Sequence, residues 1–434
     1  MDNELQPYQE YVDVNLPWLE RIPEHWKIVS NKVLWCERNM RNHGDESLLS
    51  VTIKRGVISQ QELIRSTAKK DSSNDDKDKY KLVLPNDIVY NKMRMWQGAV
   101  GISKYRGIVS SAYIILKPKV DFNPKYYHFL LRTPEYVGES YRFSYGICDD
   151  QLSLRYEDFK GMNTIFPPQE EQDQIVRFLD SKVGKINRII KLKKQQIELL
   201  KEQRKVIINQ AVTKGLDLDV EMKPSGIDWL GDWRIQKFSR VAEVKSNLVD
   251  PGAYLSHPQV SPANIEKDTG ILGECQTVHE SGVISDNHLF RKGQILYSKI
   301  RPKLNKVTIA PFEGLCSADM YPIETRLDTT YLLYFMLSAT FLAQLSVTDN
   351  RVKMPKINKE ELGSIVILEP PAYEQEDIVE NLRQEQAFIQ RAIDRKEHVI
   401  ALLGEYRTTL ISNVVTGKVD VRGIEVDEVD DLLE

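Results

Sequence analysis

Lys92, Arg94 and Trp96 fall at alternate positions of VYNKMRMWQG (89–98), and Lys299, Arg301 and Lys303 do the same in LYSKIRPKLNK (296–306). Read as strands, each stretch puts its three side chains on one face. Cations so spaced suit contact with phosphate oxygens, and arginine can also hold a guanine edge bidentately. Either stretch alone would pass for a solvated sheet face. What singles them out is that the cationic pair recurs, at 92/299 and 94/301. Arg142 and Tyr145 in RFSYG (142–146), and Arg351 and Lys353 in NRVKMPK (350–356), stand at equivalent places and are weaker candidates of the same kind. Trp18 and Trp229 read as packing residues at the entrance to each half of the chain.

Catalytic motifs fail on inspection. EPPAY (369–373) has the acid-Pro-Pro-aromatic order used to grip adenine, but its repeat partner FPPQE (166–170) has neither acid nor aromatic in place, and no Gly-rich cofactor loop accompanies it. Both are better explained as helix starts. DLDVEMK (217–223) holds a nuclease-like Glu-x-Lys with no strand to carry it, and TGKV (416–419) lacks the upstream glycine and the Ser/Thr of a P-loop. The seven histidines show no metal-ligand spacing. Cys36, Cys148, Cys275 and Cys316 stand far apart and read as buried thiols of a reducing cytoplasm. No metal, cofactor or nucleophile–base pair is expected in this chain.

Composition leaves a binding role open. The 434 residues carry a net charge of −4, but residues 1–215 hold 35 Lys+Arg against 28 Asp+Glu, and residues 216–434 hold 24 against 35. Six of those acids lie in the last ten residues, a tail that is expected to be solvated. No apolar run approaches the roughly 18 residues of a membrane span, and the polar start MDNELQPYQEYVDV is no signal peptide.

The elements that would position the cations are written twice. Residues 167–217 and 370–420 align without a gap at an offset of 203 (370 − 167), from PPQEEQDQIVRFL and PPAYEQEDIVENL to QAVTKGLD and NVVTGKVD. Between those ends run heptad seams: Ile186, Ile190, Ile197, Leu200, Ile207 and Ala211, then Ile389, Ile393, Ile400, Leu403, Leu410 and Val414. Cations interrupt both seams at the same places, Lys193 and Arg204 against Lys396 and Arg407. They either fix register or snorkel at the seam edge. The double prolines suit helix starts and the glycines of TKG and TGK suit stops, giving helices from about Gln169 to Val212 and from about Ala372 to Val415. Each would be roughly 65 Å long, and two in one chain can bury each other's seam.

Fainter echoes extend the repeat. LVLPNDIVYNKMR (82–94) is answered by LFRKGQILYSKIR (289–301), and GIVSSAY by GLCSADM, both at an offset of 207; YYHFLL (126–131) meets LLYFML (332–337). The segments between read as mixed α/β, with SAYIILKP a further strand, PKYYHFLLRTPEYVGESYR and TTYLLYFMLSATFLAQLS helical, and KKDSSNDDKDKYK (69–81) a charged surface loop. The expected division is a mixed α/β module at 1–165, a long helix at 166–215, a second module at 216–368, a second helix at 369–423 and an acidic tail at 424–434. Equal frames with unlike loops suggest one fold reading two targets.

WLERIPEHW, VSSAYIILKP, FPPQEEQDQIVRFLD and LLKEQRKVIINQAVTKGLD, with DWLGDW, GQILYSKIRPKLNKV, EPPAYEQEDIV and LISNVVTGKVD in the second copy, make the whole chain resemble the specificity subunit of type I restriction–modification systems. The second copy departs in lacking the Ile-Pro-x-x-Trp tail, which touches only the local geometry of its entrance. The resemblance implies an α+β fold: two target-recognition domains joined by two long helices in an antiparallel coiled coil, with internal pseudo-two-fold symmetry. It implies a non-catalytic subunit whose modules each read half of a bipartite site in double-stranded DNA, with the helices setting the spacer and docking two methyltransferase subunits. Restriction subunits complete the complex, and S-adenosylmethionine, ATP and magnesium are expected on those partners. An insertion of four residues just after Lys214 is expected to lengthen the spacer. A stand-alone adenine methyltransferase would need a cofactor fold, and a coiled-coil adaptor without DNA would not need duplicated modules.

Overall fold

The computed structural model describes residues 5–67, 77–146, 151–216, 222–223, 229–230, 233–345 and 355–426. Two helices dominate, Gln169–Lys214 and Ala372–Val415, of 46 and 44 residues. Among the described residues no helix is long and apolar enough to cross a membrane.

Every seam position is buried or half-buried. Ile186, Ile197, Ala211, Ile389, Ile393, Leu410 and Val414 are buried; Ile190, Leu200, Ile207, Ile400 and Leu403 are half-buried. Each fully buried aliphatic side chain contributes roughly 1.5–3 kcal/mol. Three seam cations reach a side-chain amide on the facing helix: Arg204 donates to Gln390 at 2.7 Å, Lys396 to Gln196 at 2.9 Å and Arg407 to Asn187 at 2.6 Å. They therefore pin the pairing rather than merely snorkel, as polar seam residues do.

The chain falls into two compact units, and these cut across the helices. Unit 1 is Met1–Leu192 with His398–Glu434; unit 2 is Lys193–Glu397. Pairing is antiparallel within each. In unit 2, residues 196 and 204 meet 396 and 390; in unit 1, Gln174 donates to the carbonyls of Val421 (3.0 Å) and Ile424 (2.8 Å) while Asn187 meets Arg407. The helix boundaries near 166, 215 and 369 mark changes of secondary structure, but packing continues through them.

Unit 1 holds a four-stranded sheet in the order Trp35–Glu37, Tyr113–Pro118, Ile88–Asn91, Val100–Ile102, all antiparallel. Unit 2 repeats it as Ala242–Val244, Met320–Thr325, Ile295–Ser298, Val307–Ile309. All four strands start at one offset, 207 (242 − 35, 320 − 113, 295 − 88, 307 − 100). A second pairing recurs too: Lys27–Ser30 lies antiparallel to Asn163–Phe166, and Arg234–Lys237 to Val366–Glu369, so an early strand of each module is tied to the strand that runs into its long helix.

The repeated Glu-Gln of the helix starts has the same use in both units. Gln172 donates to the Pro167 carbonyl (2.8 Å) and accepts from the Asn123 N–H (3.0 Å); Gln375 does so with Pro370 (2.8 Å) and Asp328 (2.9 Å). Glu171 accepts from the Trp26 indole (3.1 Å), and Glu374 from Trp233 (2.9 Å). Tyr127 and Tyr331 donate to the Ile165 and Leu368 carbonyls, at 3.0 and 2.8 Å. These bonds satisfy buried polar groups where strand turns into helix, which explains why the two helix starts read alike.

What differs lies between the frames. Residues 38–80 carry a hairpin, Leu49–Thr52 with Gly56–Ser59, and a helix, Gln60–Thr67; residues 245–286 carry two-residue strands, short 3₁₀ turns and the helix Val278–Ser281. Most of the charged loop lies outside the described residues, but its end is not a loop: Lys81 is a buried strand residue whose ammonium meets Glu37 at 2.9 Å and the Tyr113 carbonyl at 2.9 Å. The two predicted helical stretches each break in two, at Thr133-Pro134 and at Ser338, where a capping residue restarts the helix. Cys316 is buried, but Cys36, on the strand that leads into the first insert, and Cys275, within the second insert, are half-buried; Cys148 is outside the described residues.

The tail after Val415 returns to the start of the chain. Tyr126 donates to the Val415 carbonyl at 2.7 Å, Tyr11 to the Gly417 carbonyl at 3.0 Å, and Asp420 bridges to Gln6. Gly417 has φ 77°, and a Cβ there would lie 2.5 Å from Cδ of Pro23. Gly417→Ala is expected to lower stability by about 2–4 kcal/mol, from left-handed backbone plus overpacking. Gly423, with open space around it, should accept alanine within about 0.5 kcal/mol. Chemical denaturation of the two variants checks this.

Candidate nucleic-acid interface

The candidate cations do not stand on strands. The strand Ile88–Asn91 ends because the Asn91 side chain accepts from the Met93 N–H at 3.0 Å, an Asx turn that bends the chain out of the sheet. Lys92 and Arg94 lie in that turn, and Trp96 in the 3₁₀ turn Met95–Gln97, closed by Gly98 at φ 82°. In unit 2 the strand stops at Ser298, whose hydroxyl donates to the Ile300 carbonyl at 3.0 Å; Pro302 then starts the 3₁₀ turn Pro302–Leu304. Alternation therefore does not decide which way these side chains face. The turns do.

The two turns share one backbone frame. Lys92 N–H donates to Ala112 (3.1 Å) and Lys299 N–H to Asp319 (2.9 Å); Lys92 C=O accepts from Leu154 (2.8 Å) and Lys299 C=O from Ile357 (2.9 Å). Arg94, Arg301 and Lys303 are exposed, and Lys92 and Lys299 half-buried. Lys299 lies 5.4 Å from the Tyr321 ring centroid, a cation–π contact. Arg301 holds φ 47°, a left-handed conformation that costs a non-glycine residue about 1 kcal/mol or more. Trp96 is occupied internally: its indole donates to the Met93 carbonyl at 3.0 Å and its ring meets Tyr141 edge-on at 6.1 Å. Trp18, buried, likewise packs edge-on against Tyr136 at 5.2 Å; of Trp229 only the backbone is described.

The second candidate segments come to the same turns. Tyr145 pairs with Ser153, next to the Leu154 that binds Lys92; Lys356 pairs with Ile300, between Lys299 and Arg301. Arg142 is exposed and donates to Glu139 at 2.7 Å. Tyr145 is 52% exposed; its hydroxyl bonds Asp158, which raises its pKa, so it offers a ring face more readily than a phenolate. Arg155, absent from the sequence candidates, stacks 5.8 Å from that ring. Lys356, also missed, is exposed and pairs with Asp319 at 3.2 Å. Lys356 closes the NRVKMPK segment already singled out, whereas no sequence signal marks Arg155, which reaches its turn through contacts distant along the chain. Arg351 and Lys353 lie outside the described residues.

Each turn can hold oxyanions and present a guanidinium fork, through Arg94 or Arg301. None of the catalytic motifs gains a site. Glu369 of EPPAY is engaged by Arg326 at 2.6 and 2.9 Å at the mouth of the second helix, and Tyr373 is an exposed first-turn residue. Among the described residues no cluster of His, Cys, Asp and Glu could hold a metal.

A chain built from one α/β frame used twice, with long paired helices and paired cationic turns, is of the DNA-specificity class. Residues 36–199 and 244–397 match the family described as type I restriction modification DNA specificity domain. The chain belongs to that family. It is 30% identical over 284 residues to the type I restriction enzyme EcoDI specificity subunit of Escherichia coli, a match covering 61% of this chain and 64% of that protein. A relative from Methanocaldococcus jannaschii, named for the MjaX type I restriction enzyme specificity subunit, is 23% identical over 428 residues, covering 92% of this chain and 95% of its own. A chain solved in work on complex assembly and conformational transition of the type I R-M system shares the fold, with a TM-score of 0.68 at 14% identity, over 92% of this chain and 99% of that one.

Proposed function

We propose that the chain is the sequence-reading subunit of a type I restriction–modification complex and has no catalytic activity of its own. Each module reads one half of a bipartite site in double-stranded DNA, and the helices set the unread spacer. The observation that carries this is the identical hydrogen-bonded frame around Lys92 and Lys299, set beside unlike inserts at 38–80 and 245–286. A shared frame suits backbone phosphates, which all sequences have; unlike inserts suit different bases.

Neutralising Lys92 and Arg94 together should weaken duplex binding by the assembled complex across all sequences and flatten the plot of log K against log salt by up to about two units. Unchanged affinity and slope would reduce this turn to a solvated surface.

The helices also carry apolar side chains that face outward: Leu199 is 69% exposed, Val206 62%, Phe388 65% and Tyr406 53%. Such stripes are docking faces for other helices. We assign them to the methyltransferase subunits, two per chain because the helix is written twice, with restriction subunits joining the full complex. S-adenosylmethionine, ATP and magnesium belong on those partners, and the assembly works in the cytoplasm on the cell's DNA.

A further inference from the structure

Unit 1 contains a cavity of about 270 Å³ whose lining includes Lys54, Arg132 and Arg407, and among the described residues no acidic side chain lines it. Arg132 is held from behind: its guanidinium donates to the carbonyls of Val100 (2.8 Å), Ile53 (2.7 Å) and Lys54 (2.8 Å). Arg407 is fixed at one edge by Asn187 at 2.6 Å. Lys54 stands at the tip of the hairpin in the module's own insert. Thr133 and Pro134 bring the first turn of the helix Pro134–Arg142 to the rim, where Glu135 of the same turn offsets the positive helix end. Three cations converge on one space with nothing in the lining to neutralise them.

The repeat supplies an internal control. Arg204 and Gln390 are the counterparts of Arg407 and Asn187 (407 − 204 and 390 − 187 are both 203), and they too line a cavity, of about 430 Å³, in unit 2. There five acids, Glu198, Glu202, Glu266, Asp268 and Glu397, share the lining with Arg204 and three lysines, Lys201, Lys205 and Lys267, each of which pairs with one of them. Burial lowers the Arg204 pKa, but Glu266 and Asp394 push it back up. In unit 1 burial, with Arg407 pushing the same way, brings Arg132 down to about 10. His128, on the same wall, is lowered to about 3 by burial and by Arg132, Lys125 and Lys104, so it stays neutral. One copy of the site sets acidic side chains beside its arginine; the other does not.

We propose that the unit 1 cavity is a built site for a phosphate group, held by Lys54, Arg132 and Arg407, and that its source is the backbone of the bound DNA. The assignment to DNA rests on the function proposed above; the site itself rests on the cavity and its charge.

The test is a ³¹P titration of the full chain with inorganic phosphate at constant ionic strength. Saturable binding is expected, weakened at least tenfold by Lys54→Gln with Arg407→Gln and unchanged by the surface pair Lys27→Gln with Lys117→Gln. Glutamine at 407 retains an amide donor for Asn187, and Arg132, which supports three carbonyls, is left intact. No saturable binding, or equal loss in both pairs, overturns the site. The salt dependence of duplex binding by the assembled complex then identifies the source. A slope lowered by one to two units in the Lys54/Arg407 variant supports DNA phosphate. A retained slope with phosphate binding lost overturns that assignment in favour of free phosphate. If the unsubstituted complex binds no duplex, the proposed function fails, and the titration still judges the site.

Discussion

Glu171→Ala is expected to destabilise the chain by about 3–5 kcal/mol, and the repeat-equivalent Glu374→Ala by about 1–2 kcal/mol. The carboxylate of Glu171 is 4% exposed and serves three donors: the Trp26 indole at 3.1 Å, the His25 ring at 2.7 Å and the Tyr8 hydroxyl. Tyr8 is itself buried, with Arg422 stacked 4.9 Å from its ring. Removing the acceptor leaves a buried indole N–H and a buried hydroxyl with no partner, and such groups cost more than the bond is worth. Glu374 takes the same place but holds Trp233 alone, at 2.9 Å, among the described residues. Denaturant melts of the two variants measure the difference. Equal losses would show that the Tyr8–His25 network adds nothing to the shared bond.

The second large effect is on which DNA is bound. Three heptads added to each long helix, after Leu192 and after Glu397, should lengthen the preferred spacer by about ten base pairs and leave both half-sites unchanged. Twenty-one residues add about 32 Å of helix, close to one DNA turn of about 34 Å. Whole heptads keep the seam in phase. Those two positions are where the compact units part, so neither core is opened. The insertion after Lys214 expected from sequence would not do this. Ile208, Ala211 and Val212 are packed into the core of unit 2, so residues added beyond them leave that module seated where it is. Selection of bound sequences from a randomised duplex reads the result; new half-sites at the old spacing would remove the helices as the ruler.

Much of the architecture was legible because it was written twice. The offset of 203 marks the helices and that of 207 the sheet, and heptad spacing is a local signal that survives divergence. The cationic turns were located but their geometry was misread. Asn91 and Ser298, the residues that end the strands, were in plain view, but an alternating run of cations favours a strand by period alone. Arg155 was missed because only the fold brings it to the Lys92 turn, and within NRVKMPK only the fold singles out Lys356 as the partner of the Lys299 turn. The compact units were beyond reach for the same reason: the bonds from Gln174 to Val421 and Ile424 join residues about 250 positions apart.

That division has a consequence for how the chain is made. Unit 2 is one continuous stretch, Lys193–Glu397, whereas unit 1 is assembled from both ends of the chain. On the ribosome, unit 2 has all its parts first. The first module, although synthesised earlier, waits for Leu410, Val414, Val415 and Val421 to cover its core and for the Val415 carbonyl to meet Tyr126. Closing so long a loop is slow, and an uncovered core invites aggregation meanwhile. Maturation therefore runs against the direction of translation, with the first-made half completed last.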